Sequence, residues 1–406
     1  LRRGFNERFQ VPLPTSWPNT RDPDRQLRVG YVSGDFCMHS AAFCFGAPVM
    51  GHKGIPGREV PPVMSFAYSS TPQKPGWVDD VYNKFRAMVH NWRECVGKSD
   101  EFVTQMIRDD QIDILVDLSA YSRYTRPPTF MAKPAPIQVT AWGHAQGTGW
   151  SAIDYLFSDE WTIPQEFKKF YSETVVYLPS VISYAPAEYA SPMPECPFTV
   201  NGGILKLISG NRLIKMTPVT LDTWGRIMRE APQVKLLIKE SSVQDKETQE
   251  WLKVEFGKRG ISEDRLELQG QTMHVEHLHA FGEVDLALDP FPHGGGVTML
   301  EGLYMGVPAI TLLGDRIQER LAFSFYNQLA NVAPDIPWLD LFVAKTHDEY
   351  VEKTLLIINN PSLLIPIRKL LREAMESTPL LDHTGYTEIV EAAYREMWKR
   401  YLHVHA

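Results

Sequence analysis

The stretch DLALDPFPHGGGVTMLEGLYMGVPAITLLG, residues 285–314, carries the local pattern that decides the fold. An apolar run ends at Asp289, three consecutive glycines follow at positions 294–296, and a helix-like segment then leads to a second apolar run at 308–313. A strand, a glycine turn, a helix and a further strand in this order are typical of the βαβ unit of a parallel sheet. We therefore expect a sheet whose strands are connected through helices.

The rest of the chain repeats this alternation in two blocks. In the first block, short β-branched runs are predicted as strands at 27–33, 61–69, 112–119, 136–142, 155–159 and 174–180, with helices at 78–89 and 99–110. In the second block, strands are predicted at 204–209, 234–239, 266–270, 284–289 and 308–313, with helices at 217–231, 243–260, 275–283, 298–306 and 317–330. Strands separated by helix-sized crossovers predict parallel sheets covered on both faces.

The boundary between the blocks is the segment 185–203, APAEYASPMPECPFTVNGG, which is rich in Pro and Gly and has no periodicity. We predict an N-terminal segment at 1–26, two Rossmann-like doubly wound α/β domains at 27–190 and 197–385, and a C-terminal helix at 386–406 that returns to the first domain. Ligands of such folds bind outside the carboxyl ends of the strands. The two sheets are therefore expected to face a central cleft.

Composition excludes several classes of protein. The 406 residues carry a formal net charge of −8, so the clustered basic excess of a nucleic-acid-binding protein is missing. No apolar run approaches the roughly 20 residues of a membrane span, and the polar, Pro-rich N-terminus is not a signal peptide. The four cysteines contain no CxxC pair and are interpreted as reduced. We predict a cytoplasmic protein without nucleic-acid or membrane partners.

The glycine turn is a candidate anion site. Main-chain N–H groups of Gly294, Gly295, Gly296 and Val297 would point at a ligand together with the start of the next helix, where Thr298 could cap the helix or bind phosphate. Glycine is expected here because it permits positive φ and lets a diphosphate approach the main chain without interference from a Cβ. The alternative is a tight strand-to-helix turn that binds no ligand.

Several polar side chains lie near this turn in the sequence. Glu301, one helical turn further on, is within reach of a ribose hydroxyl, although it could equally be an ordinary helix carboxylate. The histidines of HVEHLH, His274, His277 and His279, have a spacing that resembles a metal site, and His293 precedes the glycines. Because further ligands are not evident, we favour histidines that stack on or bond to a nucleotide over a structural zinc site.

Two further groups of residues follow strands of the predicted sheets. Arg212 and Lys215 come after the strand at 204–209, where a cation could neutralise a leaving diphosphate. His39 follows the first strand and could act as a base or cap a helix. Other polar residues at strand ends are Asp35, Asp110, Asp113, Asp117, Tyr121, Arg126 and His144.

Taken in order, these segments resemble the catalytic region of the O-linked N-acetylglucosamine transferase family, which includes SPINDLY-type proteins and bacterial relatives. The matching segments are LRVGYVSGDFCMHS (27–40), IDILVDLSAYSRYTR (112–126), KPAPIQVTAWGHAQGTG (133–149), IDYLFSDEWTIP (153–164), SGNRLIKMTPVTLDTWGRIMREAP (209–232), VDLALDPFPHGGGVTMLEGLYMGVPAIT (284–311) and TPLLDHTGYTEIVEAAYREMWKRY (378–401). They cover nearly the whole chain in family order. The tetratricopeptide repeats that precede this region in the family are not represented.

The resemblance implies a GT-B glycosyltransferase that is inverting, metal-independent and free of cofactors. It would move N-acetylglucosamine from UDP-N-acetylglucosamine to Ser or Thr hydroxyls of a protein acceptor, with the first domain on the acceptor side and the second on the nucleotide-sugar side. GDP-fucose or UDP-glucose as donor, a sugar-nucleotide epimerase, and a non-catalytic module that binds a sugar nucleotide or a partner protein remain alternatives. The oligomeric state is left open.

The resemblance also implies roles for individual residues. Lys215 matches the lysine that stabilises the departing diphosphate. His39 and Asp110 match two candidate bases, and a donor phosphate oxygen is a third. His277 matches a histidine near the nucleotide, and Thr298 a phosphate-binding threonine.

Glu301 matches an acidic residue at the ribose. The chain departs from the animal enzymes at several positions: Gly296 and Val297 replace a His-Thr pair, Arg212 replaces Gln, His274 replaces Lys, and GHAQGTG (143–149) replaces a GYPGTSG-type loop. Three glycines before the threonine are close to the bacterial pattern, so a phosphate site is still expected.

Overall fold

A computed structural model describes residues 13–14, 16–55, 57–73, 78–143, 146–192 and 195–405. The chain divides into two compact units. The first unit comprises Leu1–Ala185 and Pro379–Ala406, and the second comprises Pro186–Thr378. The chain therefore leaves the first unit at the start of the predicted linker and returns to it just before the last helix.

In the first unit, the described residues form a seven-stranded sheet in which every strand pair is parallel. The strands are β1 (Leu27–Ser33), β2 (Val63–Ser69), β3 (Asn91–Glu94), β4 (Ile114–Asp117), β5 (Ile137–Thr140), β6 (Tyr155–Ser158) and β7 (Thr174–Tyr177). Their order is β3-β2-β1-β4-β5-β6-β7. The helices are α1 (Ala42–Gly54), α2 (Asp80–Met88), α3 (Asp100–Asp109) and α4 (Pro127–Met131).

The strands predicted in the first unit are confirmed, with β1 matching to the residue. Sequence reasoning missed β3, because NWRE is half-exposed, polar and only four residues long. This segment forms a strand because its main chain pairs with β2, and not because it has an apolar pattern of its own.

In the second unit, the described residues form a six-stranded parallel sheet of order β10-β9-β8-β11-β12-β13. Its strands are β8 (Lys206–Ser209), β9 (Lys235–Lys239), β10 (Leu266–Gln269), β11 (Leu286–Leu288), β12 (Ala309–Leu312) and β13 (Val343–Ala344). The helices are α5 (Pro218–Glu230), α6 (Lys246–Gly257), α7 (His274–His279), α8 (Val297–Tyr304), α9 (Leu321–Val332), α10 (Trp338–Phe342), α11 (His347–Asn359) and α12 (Leu364–Glu376). Each unit is thus a doubly wound α/β fold, as predicted.

The strand order places β8 beside β11 in the centre of the second sheet. The direction of winding reverses between these two strands, since β9 lies on one side and β12 on the other. The segments that leave their carboxyl ends are those that begin at Gly210 and Asp289. A topological switch point of this kind is where doubly wound folds bind ligands.

The last helix, α13 (His383–Val404), packs on the first unit, as predicted. Tyr394 and Trp398 are buried on its inner face. Arg395 donates hydrogen bonds to the carbonyl oxygens of Pro23 and Arg25, which ties the segment before β1 to this helix. No helix in the described part of the chain is long and apolar enough to cross a membrane.

Candidate functional site

The turn between β11 and α8 uses two of its glycine amides internally. Gly294 N donates to the carbonyl oxygen of Gln318 over 3.0 Å, and Gly295 N donates to Asp289 Oδ1 over 2.6 Å. Helix α8 begins at Val297, and Gly296 makes no side-chain cap. Because first-turn amides have no acceptor within their own helix, the N–H groups able to bind an anion lie around Val297 and Thr298.

The prediction that these glycines provide positive φ is wrong. None of Gly294, Gly295 and Gly296 has a positive φ. A Cβ on Gly294 would instead lie 2.7 Å from Asp289 Oδ2, and one on Gly295 would lie 3.2 Å from Asp289 Oδ1. Glycine is therefore favoured at positions 294 and 295 because the turn lies close against a buried carboxylate, whereas a Cβ on Gly296 would meet only Leu321, at 3.8 Å.

Lys215 lies beside this turn. It ends a short 3-10 segment after β8, and its Nζ donates to the carbonyl oxygen of Gly294 over 2.8 Å and to Asn211 Oδ1 over 3.1 Å. Burial holds the pKa of the Lys215 ammonium below its ordinary value; Asp289 opposes this shift and Arg212 adds to it. An ammonium with few water neighbours interacts strongly with an anion, so this position suits a diphosphate.

Two neighbours of Lys215 differ in their surroundings. The Arg212 side chain is exposed, so it supplies positive charge from the surface of the site. Asn211 is buried and orients the Lys215 amine, a role that sequence reasoning missed. The available signal was its place two residues after β8, at a carboxyl strand end.

A second group surrounds the Glu301 carboxylate, which is buried in α8. His274 Nε2 lies 2.8 Å from Glu301 Oε1, and His277 Nε2 lies 3.3 Å from Glu301 Oε2. Burial alone would raise the pKa of Glu301, but the hydrogen bonds and charges of the two histidines outweigh it and leave the pKa below its usual range. The carboxylate is therefore ionised at neutral pH.

An unpredicted tyrosine extends this group. Tyr189 Oη lies 2.6 Å from His274 Nδ1. Because the Glu301 carboxylate can only accept, His274 Nε2 carries the proton that points at it. In a neutral His274 ring, Nδ1 is then the acceptor of the Tyr189 hydroxyl proton. Tyr189 comes from the segment predicted as linker, 85 residues before His274, so nothing local could indicate the contact.

The remaining predicted residues of this unit fall into two sets. A Cβ on Gly210 would lie 2.8 Å from Thr298 Cγ2 and 3.9 Å from His277 Cε1, so Thr298 and His277 both adjoin the end of β8. The side chains of His279 and His293 are exposed. Among the described residues, no group of three or more His, Cys, Asp or Glu side chains has the arrangement to hold a metal ion.

In the first unit, His39 lies after β1 with half of its side chain exposed. Its Nδ1 accepts a hydrogen bond from Ala41 N over 3.2 Å and lies 3.7 Å from Asp35 Oδ1. Burial raises the pKa of Asp35, and the neighbouring His39 partly opposes this shift. The pair thus places an imidazole with a carboxylate partner at the carboxyl end of a central strand.

Asp110 has a different environment from His39. Arg93 donates to both of its carboxylate oxygens, over 2.9 and 2.7 Å, and the Tyr68 hydroxyl donates over 2.8 Å. Asp110 follows α3 and precedes β4, on the amino side of the sheet, whereas His39 follows the carboxyl end of β1. The structure therefore does not bring the two predicted bases together.

The other strand-end residues of this unit make structural contacts. Asp113 is paired with Arg25, Asp117 accepts from the amides of Ser119 and Ala120, Tyr121 donates to the Thr148 carbonyl, and Arg126 pairs with Asp100. His144, in the loop 143–149, lies outside the described residues.

Comparisons with known proteins agree with this arrangement. The family model of glycosyl transferase family 41 matches residues 12–185 and 204–390. The probable UDP-N-acetylglucosamine–peptide N-acetylglucosaminyltransferase SPINDLY of Solanum lycopersicum is 32% identical over 98% of this chain, which spans 42% of that protein.

Solved structures show the same fold. A mutant of the Thermobaculum terrenum O-GlcNAc transferase superposes with a TM-score of 0.88 at 29% identity, covering 100% of this chain and 74% of that one. A putative UDP-N-acetylglucosamine 2-epimerase from Listeria monocytogenes has a TM-score of 0.51 at 12% identity, covering 92% and 97%, and shares the fold alone. The first matched segment lies in the first unit, and the second covers most of the second unit and continues into the last helix. The chain belongs to glycosyl transferase family 41.

Proposed function

We propose that this chain transfers N-acetylglucosamine from UDP-N-acetylglucosamine to Ser or Thr hydroxyls of proteins, with inversion and without a metal ion. One observation carries the proposal: the Lys215 ammonium lies at the turn that begins α8, in a chain of family 41. The chain spans less than half of the SPINDLY proteins it matches, so acceptor recognition by the whole protein is part of the proposal.

The diphosphate of the donor would be held by two features of the second unit. The first-turn amides of α8 and the positive end of its dipole favour a negative group. Lys215 would exchange its hydrogen bond to Gly294 for one to a phosphate oxygen, and its charge would stabilise the negative charge that develops as the glycosidic bond breaks.

The nucleoside would be held by the group around Glu301. Each carboxylate oxygen accepts one histidine hydrogen bond and keeps a further lone pair for a ribose hydroxyl. His277 also adjoins the end of β8, where the donor phosphates would begin. The activity named for the SPINDLY relative of Solanum lycopersicum supports UDP-N-acetylglucosamine as the donor.

For the acceptor proton we retain His39 as the first candidate base. To act as the base, His39 would carry its proton on Nδ1, directed at Asp35 in place of the Ala41 amide contact, and accept the hydroxyl proton at Nε2; Asp35 would then stabilise the imidazolium. The Asp110 carboxylate already accepts three hydrogen bonds, from Arg93 and Tyr68, so an acceptor hydroxyl would have to compete with these partners for its oxygens.

The decisive experiment presents the protein with UDP-N-acetylglucosamine, UDP-glucose or GDP-fucose, together with a protein mixture, and maps modified peptides by mass spectrometry. We expect N-acetylglucosamine on Ser and Thr, undiminished by a chelator. Labelling from another donor would correct the sugar. A free epimerised sugar nucleotide without labelled peptides would indicate an epimerase, and binding without any product would indicate a non-catalytic module.

A further inference from the structure

The Asp289 carboxylate has no chemical role in the proposed reaction. It follows β11 at the switch point of the second sheet and is 3% exposed. Its Oδ1 accepts from Gly295 N over 2.6 Å, and its Oδ2 accepts from the Thr311 hydroxyl over 2.8 Å. A buried carboxylate with two hydrogen bonds is costly to retain, so its position calls for a physical explanation.

Several segments of the second unit pack closely around Asp289. The carbonyl oxygen of Asp289 accepts from the Tyr350 hydroxyl over 3.0 Å, which anchors the residue in the core. The two following glycines, Gly294 and Gly295, leave room for the carboxylate where a Cβ would lie within 2.7 and 3.2 Å of its oxygens. Thr311 reaches it from the neighbouring strand β12. The turn is therefore built around this one side chain.

Two consequences follow for anion binding. The Gly295 amide is already used, so a phosphate group must be received by amides further along, at the start of α8. The carbonyl of Gly294 is turned toward Lys215, which donates to it over 2.8 Å. The side chain that shapes the turn thereby also determines where the ammonium is held.

We propose that Asp289 is a positioning residue for the diphosphate site, which aligns the α8 amides and the Lys215 amine by fixing the turn between β11 and α8. This inference rests on the proposed function, since it assigns a determinant of the same site. Asp289 itself would not contact the diphosphate, because its carboxylate is buried and, like a phosphate oxygen, is a negatively charged acceptor.

The groups around the Asp289 carboxylate offset its negative charge, so that it would not strongly repel the donor. Burial raises the pKa of Asp289 to about 6, against the opposing effects of the Gly295 amide, the Thr311 hydroxyl and Lys215. Its negative charge is thus offset within the protein by a main-chain dipole, a hydroxyl and an ammonium. An unpaired buried carboxylate at this point would weaken the binding of a phosphate.

The test measures UDP and GDP binding by calorimetry, and sugar transfer, for Asp289→Ala and Asp289→Asn. Asn keeps one oxygen for the Gly295 amide and an amide group for the Thr311 hydroxyl. We expect Ala to weaken UDP affinity by at least about tenfold, as losing a hydrogen bond to a charged group does, and Asn to recover most of it. Rescue by Asn is not expected if the carboxylate only supports folding through its charge.

A second pair of variants guards against misfolding. Thr311→Val removes one hydrogen bond to Asp289 at constant shape and should weaken UDP binding about two- to tenfold. Thr223→Val, which removes a buried hydroxyl within α5, is the matched control and should leave binding unchanged.

A combination of substitutions tests the spatial argument. Gly294→Ala should impair binding in the natural chain, because its Cβ would meet Asp289, and should impair it much less in an Asp289→Ala background. A folded Asp289→Ala or Thr311→Val protein with natural UDP affinity would overturn the inference alone. Failure of the natural chain to bind either UDP or GDP would overturn the proposed function and this inference together.

Discussion

Lys215 Nζ donates a hydrogen bond to the main-chain oxygen of Gly294 over 2.8 Å, although 79 residues separate them. The two residues follow β8 and β11, which are neighbours at the centre of the second sheet. The cation and the helix start are therefore fixed to one another by the sheet. This relationship places a positive charge beside the amides that would bind a diphosphate.

Lys215→Met should reduce turnover far more than donor affinity. The unbranched substitute preserves much of the stem packing and removes only the ammonium that meets charge developing in the transition state. We expect kcat to fall by about 10²–10³-fold, as when one oxyanion donor is removed. Steady-state kinetics and UDP calorimetry measure the two effects, and Lys258→Met, on the exposed surface of the same unit, is the control. A near-natural kcat in a folded variant would refute the role.

Glu301→Gln should weaken nucleotide binding. Both of its oxygens face imidazole N–H groups, so the amide group of Gln would leave one histidine facing a donor. An unsatisfied pair of this kind costs roughly 1–3 kcal/mol, or about 5- to 150-fold in affinity. Competition binding with UDP checks this. Glu276→Gln, on the exposed side of α7, should have no comparable effect.

His39→Ala and Asp110→Asn should have opposite profiles. The His39 side chain is half exposed, so its loss should leave the melting temperature nearly unchanged and lower turnover about 10²–10⁴-fold if it is the base. Asp110→Asn breaks the contacts with Arg93 and Tyr68 and should destabilise the first unit while much of the transfer activity is kept. The reverse result would make Asp110 the base.

Gly143→Ala should disrupt the first unit. A Cβ at this position would lie 1.7 Å from the carbonyl oxygen of Leu118, which no side-chain rearrangement can relieve. We expect a loss of more than about 2 kcal/mol in the free energy of unfolding. Gly257→Ala, at the end of α6, is the matched control. A Cβ at this position would have no neighbouring atom within 4 Å, so the variant should raise the free energy of unfolding by about 0.5–1 kcal/mol. Urea unfolding of both variants decides the point.

The stability contribution of Asp117 should increase as the pH falls. Burial raises its pKa to about 6, more than its hydrogen bonds to Ala120, Ser119 and Thr140 lower it. An unfolded aspartate titrates near ~3.9, so between these values the folded state holds the extra proton and is favoured by acid. Relative to Asp117→Asn, the natural chain should gain about 1 kcal/mol between pH 7 and pH 5. A constant difference in urea unfolding, or a loss, would contradict this.

The sequence was sufficient to predict what depends on local pattern. Alternating apolar runs and amphipathic segments indicated two doubly wound units, and the order of motifs indicated the family. Lys215 and the glycine turn were recognisable because both follow predicted strands at carboxyl ends. These features are local, since periodicity and turn composition act over a few residues.

Only the tertiary structure decided why the glycines are needed and which partners each polar residue has. Tyr189 was missed because its partner lies 85 residues away, and Asp289 because its contact with Thr311 spans two strands. Asn211 lies only four residues from Lys215, but its residue type and strand-end position do not by themselves indicate which group it bonds. Asp110 illustrates the same limit: Arg93 and Tyr68 pair with it through strands β2 and β3, one of which has no apolar pattern. The sequence alone indicates residue types and their positions at strand ends. Contacts between separate segments form only when the sheets assemble, because they depend on which strands become neighbours.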